Sequence, residues 1–113
     1  MAYIRMSLMT PRSGQEEELE NLLDRLIEYF HGKSGFIAAY RLSPDPHSRD
    51  DRIGRISIWE SEAHANLMSS DQHDLAVQAE IKRLAVDATH QESSFVGTHS
   101  GDGGSDRASS DPA

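Results

Sequence analysis

The alternation of apolar and polar positions divides the chain into short segments of period two and longer segments of period near 3.6. Over residues 2 to 9, AYIRMSLM, the apolar Tyr3, Ile4, Met6, Leu8 and Met9 fall on both parities, which predicts a strand needing cover on both faces. Pro11, Arg12 and Ser13 stop that strand. Leu19, Leu22, Leu23, Leu26, Ile27 and Phe30 then recur at helical steps and predict an amphipathic helix of about 17 residues. Ser13 with Glu16 has the form of a capping box, and Glu16, Glu17 and Glu18 place negative charge at the positive end of the helix dipole. Gly32 predicts the left-handed turn that closes the helix, with His31 as a capping or surface residue in its last turn.

Residues 35 to 43, GFIAAYRLS, predict a second strand with Phe36, Ala38, Tyr40 and Leu42 on one face and Ile37, Ala39 and Arg41 on the other. The next segment, Pro44 to Arg52, carries two prolines among charged residues and reads as a long hairpin connection. A third strand, Ile53 to Trp59, leads into Ser61, the N-cap of a short helix over Glu62 to Met68. Ser70 or Asp71 caps a further helix whose packing face is expected to hold Leu75, Val77, Ile81, Leu84 and Ala85. Residues 93 to 99, SSFVGTH, predict a last short strand.

The order is β, α, β, β, a broken α, β, which is the α+β ferredoxin-like plan of two helical segments over one face of a four-stranded antiparallel sheet. Helices cover only one face, so Ile4, Met6, Leu8, Ile37, Ile56 and Ile58 are expected to form a second apolar face. Burying it against its own copy gives a homodimer stacked sheet to sheet. The expected organisation is one domain over residues 1–99 and a disordered acidic tail over residues 100–113, where Gly, Ser and Asp dominate.

Composition narrows the function classes. With no cysteine, disulfides, thiolate metal sites and Cys nucleophiles are excluded together. Net charge is −8 from 11 bases and 19 acids, and the bases are scattered, so nucleic acid is not an expected partner. The opening residues, interrupted by Arg5, do not form a signal peptide, and no run is long enough to span a membrane; a soluble cytoplasmic protein is expected. Six histidines raise the question of a metal, but His64 and His73 straddle a predicted helix break, and no HxxxH or HxxE pair lies along one helix, so none is expected. A GxSxG elbow is absent, and the GDGG of Gly101 to Gly104 precedes no helix that could present a phosphate loop.

What remains is the rim of the third strand. Arg55, Ser57 and Trp59 share one parity and present a guanidinium, a hydroxyl and an indole N–H to one side of the sheet, a set that calls for internal partners or a polar ligand. A plain core role is the competing reading, with Trp59 packed, Arg55 paired to an acid and Ser57 filling space.

A strand ending in Trp59, Glu60, Ser61 and Glu62, followed by a short helix and a second helix beginning near Ser70 and Asp71, resembles the antibiotic biosynthesis monooxygenase family over about residues 2 to 99. The resemblance implies a dimeric α+β barrel and, among other activities, cofactor-independent oxygenation of flat phenolic, anthrone-like or quinol-like substrates. In the anthrone-oxidising members an Asn four positions before the Trp and a Tyr six after it bind the substrate; here Arg55 and Ala65 stand there, with His64 adjacent to the latter. The Asn, Trp and His that the haem-degrading members use correspond to about Ser7, Leu67 and Val77, which disfavours that activity and its cofactor. The expected site therefore has His64 as base, Arg55 stabilising the anion, and Trp59, Ser57 and Ser7 around the substrate, because imidazole is the side chain whose ordinary titration falls nearest neutral pH. The rival expectation is a dimeric small-molecule binding or stress-related module that keeps the fold without the reaction.

Overall fold

The computed structural model describes residues 1–100, so the expected tail lies almost wholly outside the described residues. Its elements are β1 (Ala2–Met9), α1 (Glu16–Phe30), β2 (Phe36–Leu42), β3 (Ile53–Trp59), α2 (Glu62–Ser69), α3 (Gln72–Leu84) and β4 (Gln91–Gly97). The strands form one antiparallel sheet in the order β2-β3-β1-β4, the ferredoxin-like arrangement expected from the element order.

Packing follows parity. Tyr3, Arg5, Ser7 and Met9 of β1 and Ile53, Arg55, Ser57 and Trp59 of β3 face the helices, since Tyr3 pairs Trp59, Arg5 pairs Ser57, Ser7 pairs Arg55 and Met9 pairs Ile53. Leu19, Leu22, Leu23, Leu26 and Phe30 bury the α1 stripe against this face together with Ile81 and Leu84 of α3. Each fully buried Leu there contributes about 1.5–3 kcal/mol relative to exposure, so the stripe fixes how α1 lies on the sheet. Gly54 marks the closest backbone approach: a Cβ built on it would collide with the carbonyl oxygen of Ser7.

Four expectations change. The capping box does not form, because Gly14 at φ 82° turns the chain ahead of the helix and leaves Gln15 at the N-cap without a side-chain cap bond. In β2 a bulge falls between Phe36 and Ala38: Phe36 pairs Trp59 on the helix side, Ala38 pairs Ile58 on the open side, and Ile37 is the extra residue. Phe36 therefore does not share a face with Ala38, Tyr40 and Leu42, and Ile37 does not join Ile56 and Ile58. In α3 the inward stripe is Asp74, Val77, Ile81 and Leu84, while Leu75 is 52% exposed. Finally, β4 begins two residues earlier than expected, because Gln91 and Glu92 already pair Leu8 and Ser7.

The sheet face away from the helices carries Ile4, Met6 and Leu8 of β1, Ile56 and Ile58 of β3, Ala38 and Tyr40 of β2, and Phe95 of β4. Tyr40 and Phe95 are 61% and 50% exposed in the single chain. Among the described residues no helix is long and apolar enough to cross a membrane.

Candidate functional site

The helix-facing side of β3 opens onto a cavity of about 300 Å³ between the sheet and helices α2 and α3. Phe30, Trp59, Ala65, Met68 and Leu75 supply apolar wall, and Arg5, Arg55, Lys82, Asp74, His90 and Glu92 bring charge or polarity. Three cations against two carboxylates, in a chain of net charge −8, make this a locally basic spot and favour an electron-rich ligand.

Trp59 is fixed by neighbours on both sides. Its ring meets Phe30 and Phe36 edge-on, each at 5.3 Å between centroids, and its indole N–H donates to Ser57 Oγ at 3.0 Å. The hydroxyl of Ser57 is thus already an acceptor for the indole while it lines the cavity. Such a ring cannot tilt without losing a buried hydrogen bond and two aromatic contacts, so it offers a flat, rigid wall.

Arg55 is only 6% exposed, yet among the described residues its guanidinium makes no hydrogen bond and no ion pair; it lies over the Phe30 ring at 5.6 Å. Burial lowers its pKa, with the nearby charges of Glu92 and Asp74 acting in the opposite direction. A buried cation without a hydrogen-bonded partner is an unusual expense for a fold, and one a ligand oxygen would relieve.

Asp74, 3% exposed and in the first turn of α3, lines the same cavity. Its backbone N–H is satisfied by the Asp71 cap at 3.1 Å, but its Oδ1 is enclosed with no hydrogen-bond partner among the described residues. Such an orphaned acceptor costs about 1–3 kcal/mol. Burial pushes the Asp74 carboxyl up to about 6, partly offset by Arg55, while Asp71 and Glu92 push the same way as burial. Nothing in a simple reading of the chain marks Asp74 as a site residue. The signal that could have found it is its place three, seven and ten residues before Val77, Ile81 and Leu84, the inward stripe of α3.

Ser7 lies behind the cavity wall and is 1% exposed. Its Oγ meets His90 Nε2 at 2.6 Å and donates to Glu92 Oε2 at 3.0 Å, while His90 Nε2 and Glu92 Oε2 are also 3.0 Å apart. All three contacts use the same imidazole nitrogen and the same carboxylate oxygen, so this is a closed polar clamp between β1 and β4 and not a relay through the ring. Ser7 reaches the cavity only through His90 and Glu92, two residues the sequence reading did not single out.

His64 is in a different place. It lines a second cavity of about 150 Å³ with Lys33, Ser34, Leu67 and Asp71, and only Trp59 and Met68 belong to both cavities. Its Nδ1 lies 2.7 Å from Ser61 Oγ, the N-cap of α2, and its ring packs so closely on Gly35 that a Cβ there would overlap it. The structure therefore brings Arg55, Ser57 and Trp59 together in the larger cavity and puts His64 in the smaller one, which Trp59 also lines. Among the described residues no group of three His, Asp or Glu is arranged to hold a metal ion.

No family model matches the sequence, and no curated protein matches it. Solved structures do resemble it. SnoaB, a cofactor-independent oxygenase from Streptomyces nogalater, superposes with a TM-score of 0.72 at 15% identity, covering 88% of this chain and 95% of that one. Rv0793 from Mycobacterium tuberculosis gives 0.76 at 13% identity over 89% and 99% of the two chains. A candidate antibiotic biosynthesis monooxygenase from Deinococcus radiodurans gives 0.73 at 11% identity over 88% and 95%. With nearly the full length of each chain superposed, this protein has the fold of these solved structures, which include an oxygenase and a candidate antibiotic biosynthesis monooxygenase.

Proposed function

We propose that this protein is a small monooxygenase acting on a flat phenolic, anthrone-like or quinol-like substrate held in the larger cavity. The observation that carries the reading is the buried, unpaired Arg55 guanidinium beside the rigid Trp59 wall. A ring hydroxyl that loses its proton becomes an anion, and a fixed cation lining the cavity stabilises that charge where it develops. The anion is itself the reductant. It transfers one electron to dioxygen, the two radicals combine to a hydroperoxide, and loss of water leaves a carbonyl. An anthrone methylene thereby goes to a ketone, with one oxygen atom in the product and the other in water, and all four electrons come from the substrate. SnoaB, a cofactor-independent oxygenase that shares the fold, supports the oxygenase part of the reading.

The chain is proposed to work as a homodimer through the open sheet face, whose Ile4, Met6, Leu8, Ile56, Ile58, Tyr40 and Phe95 form a contiguous apolar surface. Such a surface on both copies suits an isologous interface.

Oxygen uptake with anthrones and quinols tests the function. Arg55→Leu should lower turnover by about 100-fold or more. Measuring His64→Ala beside it decides between cavities: a loss confined to Arg55→Leu keeps the chemistry in the larger one, and a larger loss in His64→Ala moves it to the smaller. Binding of these compounds without oxygen consumption would instead make the protein a binding module.

A further inference from the structure

Arg55 and Asp74 are two buried, oppositely charged groups in one cavity that form no ion pair with each other. Among the described residues neither side chain has a hydrogen-bond partner. In a sealed interior such a pair would close up, because the desolvation of both charges is offset only by direct contact. Both line the same cavity, with Phe30 and Trp59 among its aromatic walls. Two opposite poles that line one cavity without pairing match one kind of ligand group: an O–H that can donate to the carboxyl and whose oxygen can then accept from the guanidinium.

We infer that Asp74 is the proton acceptor of this cavity and takes the proton of an aromatic ring hydroxyl whose oxygen lies against Arg55. The bond broken is the ring O–H, the bond formed is O–H on the Asp74 carboxyl, and the electron pair stays on the ring oxygen beside the guanidinium. The inference rests on the reading of this cavity as the substrate site, and it names as substrate class neutral, ring-hydroxylated aromatics. His64 lines the smaller cavity and is not among the residues that line the one holding Arg55. His90 and Glu92 also line the cavity, but both are engaged with Ser7.

The charged groups that act on Asp74 are Arg55 on β3, Glu92 on β4, and Asp71 and His73 at the start of α3, with Arg5 of β1 and Lys82 of α3 elsewhere on the wall. Burial is the largest influence and Arg55 only partly offsets it, so the empty carboxyl titrates near 6. An acceptor poised there is a carboxylate at neutral pH and still holds a proton more readily than an ordinary one.

The test uses the full chain and two probes, 1,8-dihydroxyanthraquinone and its dimethyl ether, which has the same ring system and no O–H. Binding is followed by calorimetry in buffers of different ionisation enthalpy, so that protons released are counted. In the wild type at about pH 5 the empty carboxyl is protonated, and the complex shares a single proton between carboxyl and ring oxygen. Binding of the dihydroxy probe should therefore release close to one proton at that pH and almost none at about pH 7.5. The dimethyl ether should bind at least about 10-fold more weakly. In Asp74→Asn the proton release at low pH should vanish and the two probes should bind within about threefold of each other.

Unchanged proton release in Asp74→Asn, equal binding of the two probes by the wild type, or binding of neither overturns the inference. The comparison of probes on the wild-type chain decides the matter even if the variant does not fold. Failure of the oxygenase reading is distinguishable: Asp74-linked proton release without oxygen uptake keeps this inference and removes that activity. Full oxygen uptake by Asp74→Asn does the reverse.

Discussion

Replacing Asp74 by Asn should change the way stability depends on pH, and the direction follows from burial. The carboxyl titrates at about 6 in the folded chain against an ordinary 3.8, so the folded chain binds this proton more tightly than the unfolded one. The stabilisation from that proton is fully present below about pH 4 and is lost as pH rises through about 6. A rise of about two pKa units at about 1.4 kcal/mol per unit sets a ceiling of about 3 kcal/mol. Other carboxylates run the opposite way: the backbone N–H of Asp74 holds Asp71 low, and Arg83 holds Glu80 low. They are present in both proteins and cancel in the difference. Urea unfolding of wild type and Asp74→Asn from about pH 4 to pH 7.5, at one fixed protein concentration, isolates the Asp74 contribution. Trp59 is the only tryptophan and is buried, so its fluorescence reports unfolding directly. The variant should gain on the wild type by up to about 3 kcal/mol between the acid and neutral ends. A difference that stays constant with pH would mean that the Asp74 carboxyl is hydrated, and would falsify both its burial and its role as a poised acceptor.

Three further outcomes follow from the packing. Gly54→Ala should destabilise by about 3 kcal/mol or more in chemical denaturation, because its Cβ meets the Ser7 carbonyl, which the β1–β3 pairing holds in place; a loss under about 1 kcal/mol would show that the strands separate easily. Ile56→Asp places a charge at the centre of the open sheet face and should abolish the dimer in sedimentation or light scattering, with a well-folded wild-type monomer at micromolar concentration being the result that removes the interface. Ala88 has φ 66° in the turn before β4, so Ala88→Gly should stabilise by about 0.5–1 kcal/mol and raise the melting temperature by a few degrees, whereas a lower melting temperature would show that the backbone there is not strained.

Much of the fold could be read from residue type and period because single elements carry that information locally. The α1 stripe from Leu19 to Phe30 and the Asp71 cap of α3 are properties of a few neighbouring residues, and both appear in the structure. Part of the larger cavity's lining was legible in the same way, since Arg55, Ser57 and Trp59 share a face by strand parity alone. The rest depends on contacts distant in sequence. His90 and Glu92 meet Ser7 because β4 is laid beside β1, and while the element order implies that pairing, the register that sets Glu92 opposite Ser7 is not written in either strand alone. Asp74 was hidden by its position one turn into a helix, where an acid is ordinarily read as a favourable charge near the dipole. His64 does share a cavity with Trp59, as its spacing suggests, but it is the smaller one, whereas Arg55 and Ser57 line the larger.

The bulge in β2 bears on how this protein can change in length. Ile37 is the one residue of β2 without a counterpart on β3: Phe36 answers Trp59, and Ala38 already answers Ile58. Deleting Ile37 would leave every remaining pair from Phe36 to Leu42 with its present neighbour and its present side, removing only the local kink. Deleting any one of Ala39, Tyr40 or Arg41 would instead shift the later residues by one and exchange the helix-facing and open-facing side chains beyond that point. The strand thus has a single tolerated site for losing a residue, next to the aromatic cluster of Phe30, Phe36 and Trp59. A relative one residue shorter there would keep the cavity wall intact, whereas one shortened farther along β2 would have to rebuild both faces of the sheet edge.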